Sequence, residues 1–282
     1  SLLDAYRNLQ WMTHALVIPP NAIGLEGSLG LALPGRAWGG YLAAYINKMG
    51  GDAAPTQSDV GNVQAPVVIM PKRSNSFAHE WGHALDYHIL DKYGAEWSRG
   101  VTGRIRTNMK SGERVWQDSA PESVVEAMGD LINAMFFDQA EVAAKIMELE
   151  QKIAKSKVWE QKNGKESKTR IQQGEQLRKL IEGSTRSQIN SSNYRKEAED
   201  YAAAAQSDPD YWTRPTEMFA RAFEAYVANI VENAGGSTEF IAMQDEAYKM
   251  TLDQVQDADI RLALTYPNEG DRNNIFLAMD RL

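Results

Sequence analysis

Two rhythms of apolar positions run along the chain. Residues 1–18 place Leu2, Leu3, Tyr6, Leu9, Met12 and Leu16 near a helical period and stop at Pro19-Pro20, which predicts a helix. Residues 23–33 are apolar and punctuated by glycine, a strand-like pattern; Pro34-Gly35 turns the chain, and Gly39-Gly40 leads into a second apolar stretch over 41–46. No G-x-x-x-x-G-K-[ST] or G-x-G-x-x-G pattern occurs, so these glycines read as turns and close strand packing. A Gly, Asp, Asn and Ser-rich loop fills 50–62. Val67-Val68-Ile69-Met70, closed by Pro71, predicts a buried strand, and Ser74, Asn75 and Ser76 offer N-caps to a following helix. Residues 95–119 are polar and turn-rich. They read as a solvated loop or, through Arg99, Arg104, Arg106, Lys110 and Arg114, as a cleft wall meeting acidic substrates. Helical spacing returns over 121–135.

Residues 138–205 differ in character. Segment 145–182 holds ten Lys/Arg and six Glu, so it carries +4 and leaves −12 elsewhere in a chain of net charge −8. Ile146, Leu149 and Ile153 lead to Val158 and Trp159, Asn163-Gly164 turns, and Ile171, Leu177, Leu180 and Ile181 continue a sparse apolar stripe. A helical hairpin projecting from the core is predicted, with a short helix near 193–205. The hairpin is a candidate surface for a protein partner or a spacer.

Composition narrows the classes. At 282 residues and 43 % hydrophobic, the chain can bury a core as one domain, or as a domain with an insertion. No window approaches 18 uninterrupted apolar residues, and no cationic-then-apolar leader is present, so no membrane partner is expected. The chain opens at Ser1 without an initiating Met, which points to a piece of something longer. Zero cysteines exclude disulfides and thiolate ligands, leave metal binding to His, Asp and Glu, and fit a cytoplasmic location. The acidic balance argues against a general nucleic-acid binder.

The chemistry concentrates in Phe77-Ala78-His79-Glu80-Trp81-Gly82-His83-Ala84-Leu85-Asp86. On a helix, H-E-x-x-H puts His79 and His83 one turn apart, and Asp86 falls within about 60° of them. Trp81, Ala84, Leu85 and Ile89 point to the other side. Two imidazoles would then hold Zn²⁺ with a third ligand from elsewhere and a water in the fourth position. The ion lowers that water's pKa to about 7, and Glu80 is placed to take its proton during attack on a peptide carbonyl. His88 lies roughly 140° round the helix from His83 and faces away. His14 has no supporting pattern. Asp86 is assigned to a hydrogen bond from a ligand imidazole, against the alternative of a solvent-facing carboxylate. The third ligand is sought in the helix after Pro215, where Glu217, Arg221 and Glu224 share one face and Met218, Phe219, Phe223, Tyr226 and Ile230 the other. Spacing alone leaves both Glu217 and Glu224 open, and also leaves open an exposed ion pair with Arg221.

H-E-x-x-H followed much later by a glutamate on a helix resembles the gluzincin clan of zinc peptidases. Glu217-Met218-Phe219-Ala220-Arg221-Ala222-Phe223 looks like the E-x-F-A-x-A-F segment of lethal-factor-type toxin peptidases, whose first glutamate binds zinc. That resemblance implies Glu217 as the third ligand. It also implies an oxyanion-donating tyrosine shortly before it, for which Tyr211 is the nearest match, one residue off that spacing. Gly27-Ser28-Leu29-Gly30-Leu31-Ala32, Gly35-Arg36-Ala37-Trp38-Gly39-Gly40, the H-E-x-x-H stretch, residues 214–226 and Tyr266-Pro267-Asn268-Glu269-Gly270-Asp271-Arg272 together resemble a zincin-like large polyvalent protein-associated domain. The resemblance implies a protein of a phage or conjugative element, delivered into a host cell as part of a longer chain, that cleaves its own polyprotein or a host protein. The long charged hairpin departs from shorter members.

The expectation is an α+β, mostly helical zincin-like domain over 1–282, with a small sheet and residues 138–210 as a charged helical insertion. His79, His83 and Glu217 hold Zn²⁺, Glu80 and Tyr211 are catalytic, and Asp86 and Glu224 support the ligands. A protein or peptide is the substrate. The rival is a catalytically silent scaffold that binds a protein partner through the 138–205 hairpin.

Overall fold

A computed structural model of the chain describes residues 2–32, 44–46, 67–69, 76–94, 100, 102–103, 105, 115–183, 189–204, 209–236 and 265–282. The described residues are mostly helical with one small sheet. Helix α1 (Leu2–Ala15) buries Met12 and Ala15 and turns Tyr6 outward, so the apolar face is narrower than the spacing predicts.

Within the stretch 23–33, the described residues 23–32 are strand only over Gly30–Ala32. Ala22–Gly24 forms a 3-10 turn, and Leu25, Glu26 and Gly27 follow with φ of 46°, 60° and 84°. Consecutive left-handed residues curl the chain, which a strand cannot accommodate. The curl serves packing: Leu25 enters the core, and the Ile23 carbonyl accepts a hydrogen bond from the Trp81 indole at 2.8 Å. What remains extended is β1 (Gly30–Ala32). With β2 (Ala44–Ile46) and β3 (Val67–Ile69) it makes a three-stranded sheet in the order β1-β3-β2. β1 runs parallel to β3, pairing Leu31 with Val68, and β2 runs antiparallel, pairing Tyr45 with Val68. Val68 is fully buried, as its apolar run requires.

Helix α2 (Phe77–Tyr93) lies against β2 and β3 and carries the H-E-x-x-H stretch. Residues 95–119 are not wholly a solvated loop, because Thr102, Ile105, Val115 and Trp116 are buried and Gly94 bridges to Trp116. The cationic residues invoked for a cleft wall there, like the 50–62 loop and Ser74 and Asn75, lie outside the described residues.

Helix α3 (Glu122–Phe136) docks the hairpin formed by α4 (Gln139–Asn163) and α5 (Lys168–Ile181). The hairpin starts where Asp138 caps α4 by accepting from the Glu141 backbone N–H at 3.0 Å, and turns at Gly164 with φ 63°. Val142, Leu149 and Leu180 are buried, and Asn133 of α3 donates to the Leu180 carbonyl at 2.8 Å. A Cβ on Gly129 would collide with the Ile181 carbonyl, so glycine permits this docking. Met147, Val158, Trp159 and Ile171 remain exposed.

Helices α6 (Asn193–Ala204), α7 (Pro209–Thr213), α8 (Pro215–Asn233) and α9 (Glu269–Met279) complete the described elements. α8 packs chiefly on α2, and α9 on α3. Burial of Trp81, Phe219 and Phe223 at the α2–α8 contact contributes about 1.5–3 kcal/mol per side chain. Among the described residues no helix is long and apolar enough to cross a membrane.

Candidate metal centre

The site forms where α8 crosses α2 at close range. Gly82, inside H-E-x-x-H, allows it: a Cβ there would stand 3.2 Å from Ala220 Cα and 3.3 Å from Phe223 Cβ. Trp81 stacks on Phe223 at 5.2 Å between ring centroids, fixing the buried side of α2. The other side then carries His79 and His83, with ring centroids 4.9 Å apart and planes at 83°. α2 begins at Ser76, whose carbonyl accepts from the Glu80 N–H at 3.1 Å without a side-chain cap. α8 begins with Pro215 in its first turn, as predicted, and Glu217 follows where the helix dipole favours a carboxylate.

Glu217 faces both histidines. Its Oε2 is 3.5 Å from His79 Nε2 and its Oε1 3.4 Å from His83 Nε2. Nitrogen and oxygen atoms held about 2.0–2.1 Å from a tetrahedral ion stand about 3.3–3.4 Å from one another, so these separations suit ligands of one ion. The three donor atoms all lie within 4.8 Å of one another, and this is the one such group of three among the described residues. Glu217 Oε2 is buried and makes no hydrogen bond. A carboxylate oxygen stripped of water needs a positive partner, and a cation between it and the imidazoles would supply one. The residues fit a divalent metal of the zinc type.

The electrostatics agree. Burial lowers His79, but the Glu217 and Glu224 carboxylates that face its two ring nitrogens at 3.5 Å, aided by the charge of Glu80, overcome it and lift the metal-free imidazole from 6.5 to about 10. Burial raises Glu217, yet the two histidines outweigh it and hold the carboxyl well below its ordinary range. Both shifts describe a carboxylate and an imidazole drawn together in the metal-free site.

Glu224 does not share that point. It is 1 % exposed, its Oε2 is 3.5 Å from His79 Nδ1, and the same oxygen accepts from the Tyr266 hydroxyl at 2.9 Å. Asp86 is fully buried, which removes the solvent-facing alternative. Its partners include the Thr102 backbone N–H at 2.9 Å and the Thr102 hydroxyl at 2.7 Å. Gly100, at φ 71°, leaves the space that this carboxylate fills.

Tyr211, half-buried on α7, comes to the same site. Burial first, and then the charge of Glu217, push its hydroxyl above the ordinary tyrosine range; Arg221 opposes, and Glu80 adds to the rise. The hydroxyl therefore lies in the field of both Glu217 and Glu80. Arg221 is 2 % exposed, so the exposed ion pair is overturned. Its Nε donates to the Thr265 carbonyl at 3.0 Å and its Nη2 to the Trp212 carbonyl at 2.5 Å, while Nη1 stands 3.9 Å from Glu217 Oε2. His88 lies away from the site, with Nδ1 3.5 Å from Ser28 Oγ, and His14 is exposed on α1.

Arg221 and Tyr266 lie inside the segments that carry the family resemblance, but nothing in those segments assigned them a role at the site; Tyr194, whose hydroxyl donates to the Met218 carbonyl at 2.8 Å, lies in no such segment. A buried arginine amid Met218, Phe219 and Phe223 reads as an ordinary helix charge until its partners are known.

Residues 203–282 match the family model of large polyvalent protein-associated domain 1. The match takes in Tyr211, Glu217, Arg221, Glu224 and Tyr266, and leaves α2 outside it. No curated protein and no solved structure matches the chain.

Proposed function

We propose that the chain is a zincin-like zinc metallopeptidase domain of the gluzincin type, spanning 1–282 with 138–210 as an inserted helical segment, and that it hydrolyses peptide bonds. One observation carries this reading: His79, His83 and Glu217 bring their donor atoms within 4.8 Å of one another, and Glu80 lies between the histidines in sequence. When bound, zinc supplies Lewis acidity that acidifies a water and polarises a carbonyl. His79 and His83 offer neutral imidazole nitrogens, and Glu217 a carboxylate kept ionised by the histidines facing it. Glu80 takes the proton of the attacking water and returns it to the amine nitrogen as the C–N bond breaks. Tyr211 keeps its proton at neutral pH and donates it in a hydrogen bond to the carbonyl oxygen as negative charge gathers there. Asp86 ties α2 to Thr102 and so fixes the helix that bears both histidines.

The family match over 203–282 supports a mobile-element setting. In that setting a phage or conjugative polyvalent protein brings the domain into a host cytoplasm, where it cuts its own longer chain or a host protein. The test is the zinc content of purified protein after loading and dialysis, beside Glu217→Ala, followed by digestion of a proteome-derived peptide library read by mass spectrometry. About one zinc per chain, lost in the variant, with cleavage in the library, supports the reading. No retained zinc overturns it.

The exposed Trp159, Val158 and Ile171 on the hairpin favour a second reading, a scaffold that docks a protein partner. Zinc retention without any cleavage, and a partner captured equally with chelator present, would select it.

A further inference from the structure

Glu224 presents a problem that the metal ligands alone do not solve. It is a carboxylate at 1 % exposure on a helix whose neighbours Met218, Phe219, Ala222, Phe223 and Val227 are core residues. A carboxylate buried there is costly unless its oxygens are matched by donors. Its partners include the Tyr266 hydroxyl, which donates to Oε2 at 2.9 Å, and His79 Nδ1, which faces the same oxygen at 3.5 Å. Tyr266 is itself 7 % exposed. In a pocket this dry a phenylalanine would pack equally well but could not donate to Glu224, which the hydroxyl does.

The chain of contacts continues to the proposed metal. When Nδ1 carries the proton that points at Glu224, the lone pair of His79 is left on Nε2, the nitrogen that faces Glu217 Oε2 at 3.5 Å. The residue just before Tyr266 bears on a second ligand, Glu217, through Arg221. The Thr265 carbonyl accepts from Arg221 Nε at 3.0 Å, and Arg221 Nη1, buried and without a hydrogen bond, stands 3.9 Å from Glu217 Oε2. Two consecutive residues, far from α2 in sequence, thus bear on two of the three donors.

We propose that Tyr266 is a positioning residue of the metal centre: its hydroxyl fixes the Glu224 carboxylate, and Glu224 holds His79 in the tautomer and ring orientation that turn Nε2 to the ion. The proposal rests on the metal-centre reading above. It assigns residues 265–266 a role that begins with ligand geometry rather than with core packing.

The experiment is zinc affinity by competition with a chromophoric chelator for the wild-type chain, Tyr266→Phe, Glu224→Gln and the double variant. Tyr226→Phe serves as control, because the Tyr226 hydroxyl bonds Asp280 and not the site. Cobalt-substituted samples give a second readout, since their visible d–d bands report ligand geometry. Tyr266→Phe is expected to weaken zinc about 10-fold, within the 10–100-fold range for groups that orient ligands, and to shift the cobalt bands. The control should do neither. Because Tyr266 acts through Glu224, the double variant should bind no more weakly than Glu224→Gln alone. Wild-type affinity and spectrum in Tyr266→Phe, or fully additive losses, overturn the proposal while leaving the zinc site standing. Absence of zinc binding by the wild type instead overturns the metal centre, and the positioning role with it. Should Tyr266→Phe not fold, Glu224→Gln with unchanged affinity and cobalt bands would refute the role by itself.

Discussion

His83 and Glu217 face each other across the α2–α8 contact, with 3.4 Å between Nε2 and Oε1. Neither residue's own helix accounts for this approach. It exists because Gly82, next to His83, lets the α8 backbone come close, and because Pro215 starts α8 just before Glu217. Removing the carboxylate should therefore cost metal rather than fold. Glu217→Ala is expected to lose stoichiometric zinc after dialysis while keeping the far-ultraviolet dichroism of the wild type. Full zinc retention in that variant would discard Glu217 as a ligand.

Glu80 separates binding from turnover. Glu80→Gln keeps the shape of the side chain and removes its basicity, so zinc content should stay near one per chain. Peptide hydrolysis should fall by about 10²–10⁴. Turnover at the wild-type rate would rule out the assigned proton transfer.

Tyr211→Phe tests the hydroxyl beside Glu217 and Glu80. If the hydroxyl acts only when charge develops on the substrate oxygen, kcat should drop by about 10²–10³ with KM little changed. A rise in KM at constant kcat would make Tyr211 a binding residue instead.

Proton release should accompany metal loading. In the metal-free protein His79 is raised to about 10 from an ordinary 6.5, so the folded state favours the protonated ring. That contribution to stability is fully present below pH 6.5 and is lost as pH rises through about 10. A metal needs the neutral ring, so zinc binding near pH 7.5 should expel about one proton, and zinc affinity should strengthen as pH rises through this window. Calorimetry in buffers of different ionisation enthalpy measures the proton count; a count of zero contradicts the assignment. Glu217 works in the opposite sense: its depressed carboxyl gives stability above about pH 4.5 that fades as acid protonates it.

Gly100→Ala probes the support beneath α2. The residue sits at φ 71°, and a Cβ would strike the Asp86 carboxylate that Thr102 holds. Backbone strain and the disturbed buried carboxylate together should destabilise the chain by about 2–4 kcal/mol, read as a lower urea midpoint. An unchanged midpoint would show that the contact of Gly100 and Thr102 with Asp86 does not brace the metal helix.

The sequence by itself determined whatever is local. H-E-x-x-H is spaced for one helix face, so His79 and His83 converge by helical geometry alone. The same holds for the hairpin, where Asp138, the Asn163-Gly164 turn and sparse apolar spacing set α4 and α5. It also supplied Pro215 as the start of α8, and by resemblance it pointed to Glu217. Local pattern misled where a distant partner overrode it. Leu25, Glu26 and Gly27 curl, and with the curl Leu25 enters the core and the Ile23 carbonyl meets the Trp81 indole, neither of which is visible in the local spacing. Tertiary structure alone divided the work between Glu217 and Glu224. They lie two turns apart on α8, nearly aligned, and only the crossing with α2 decides that one meets both imidazole Nε2 atoms while the other meets a single Nδ1. It alone buried Arg221, and it alone set Tyr266 against Glu224, because side chains so far apart along the chain are related by packing and not by period.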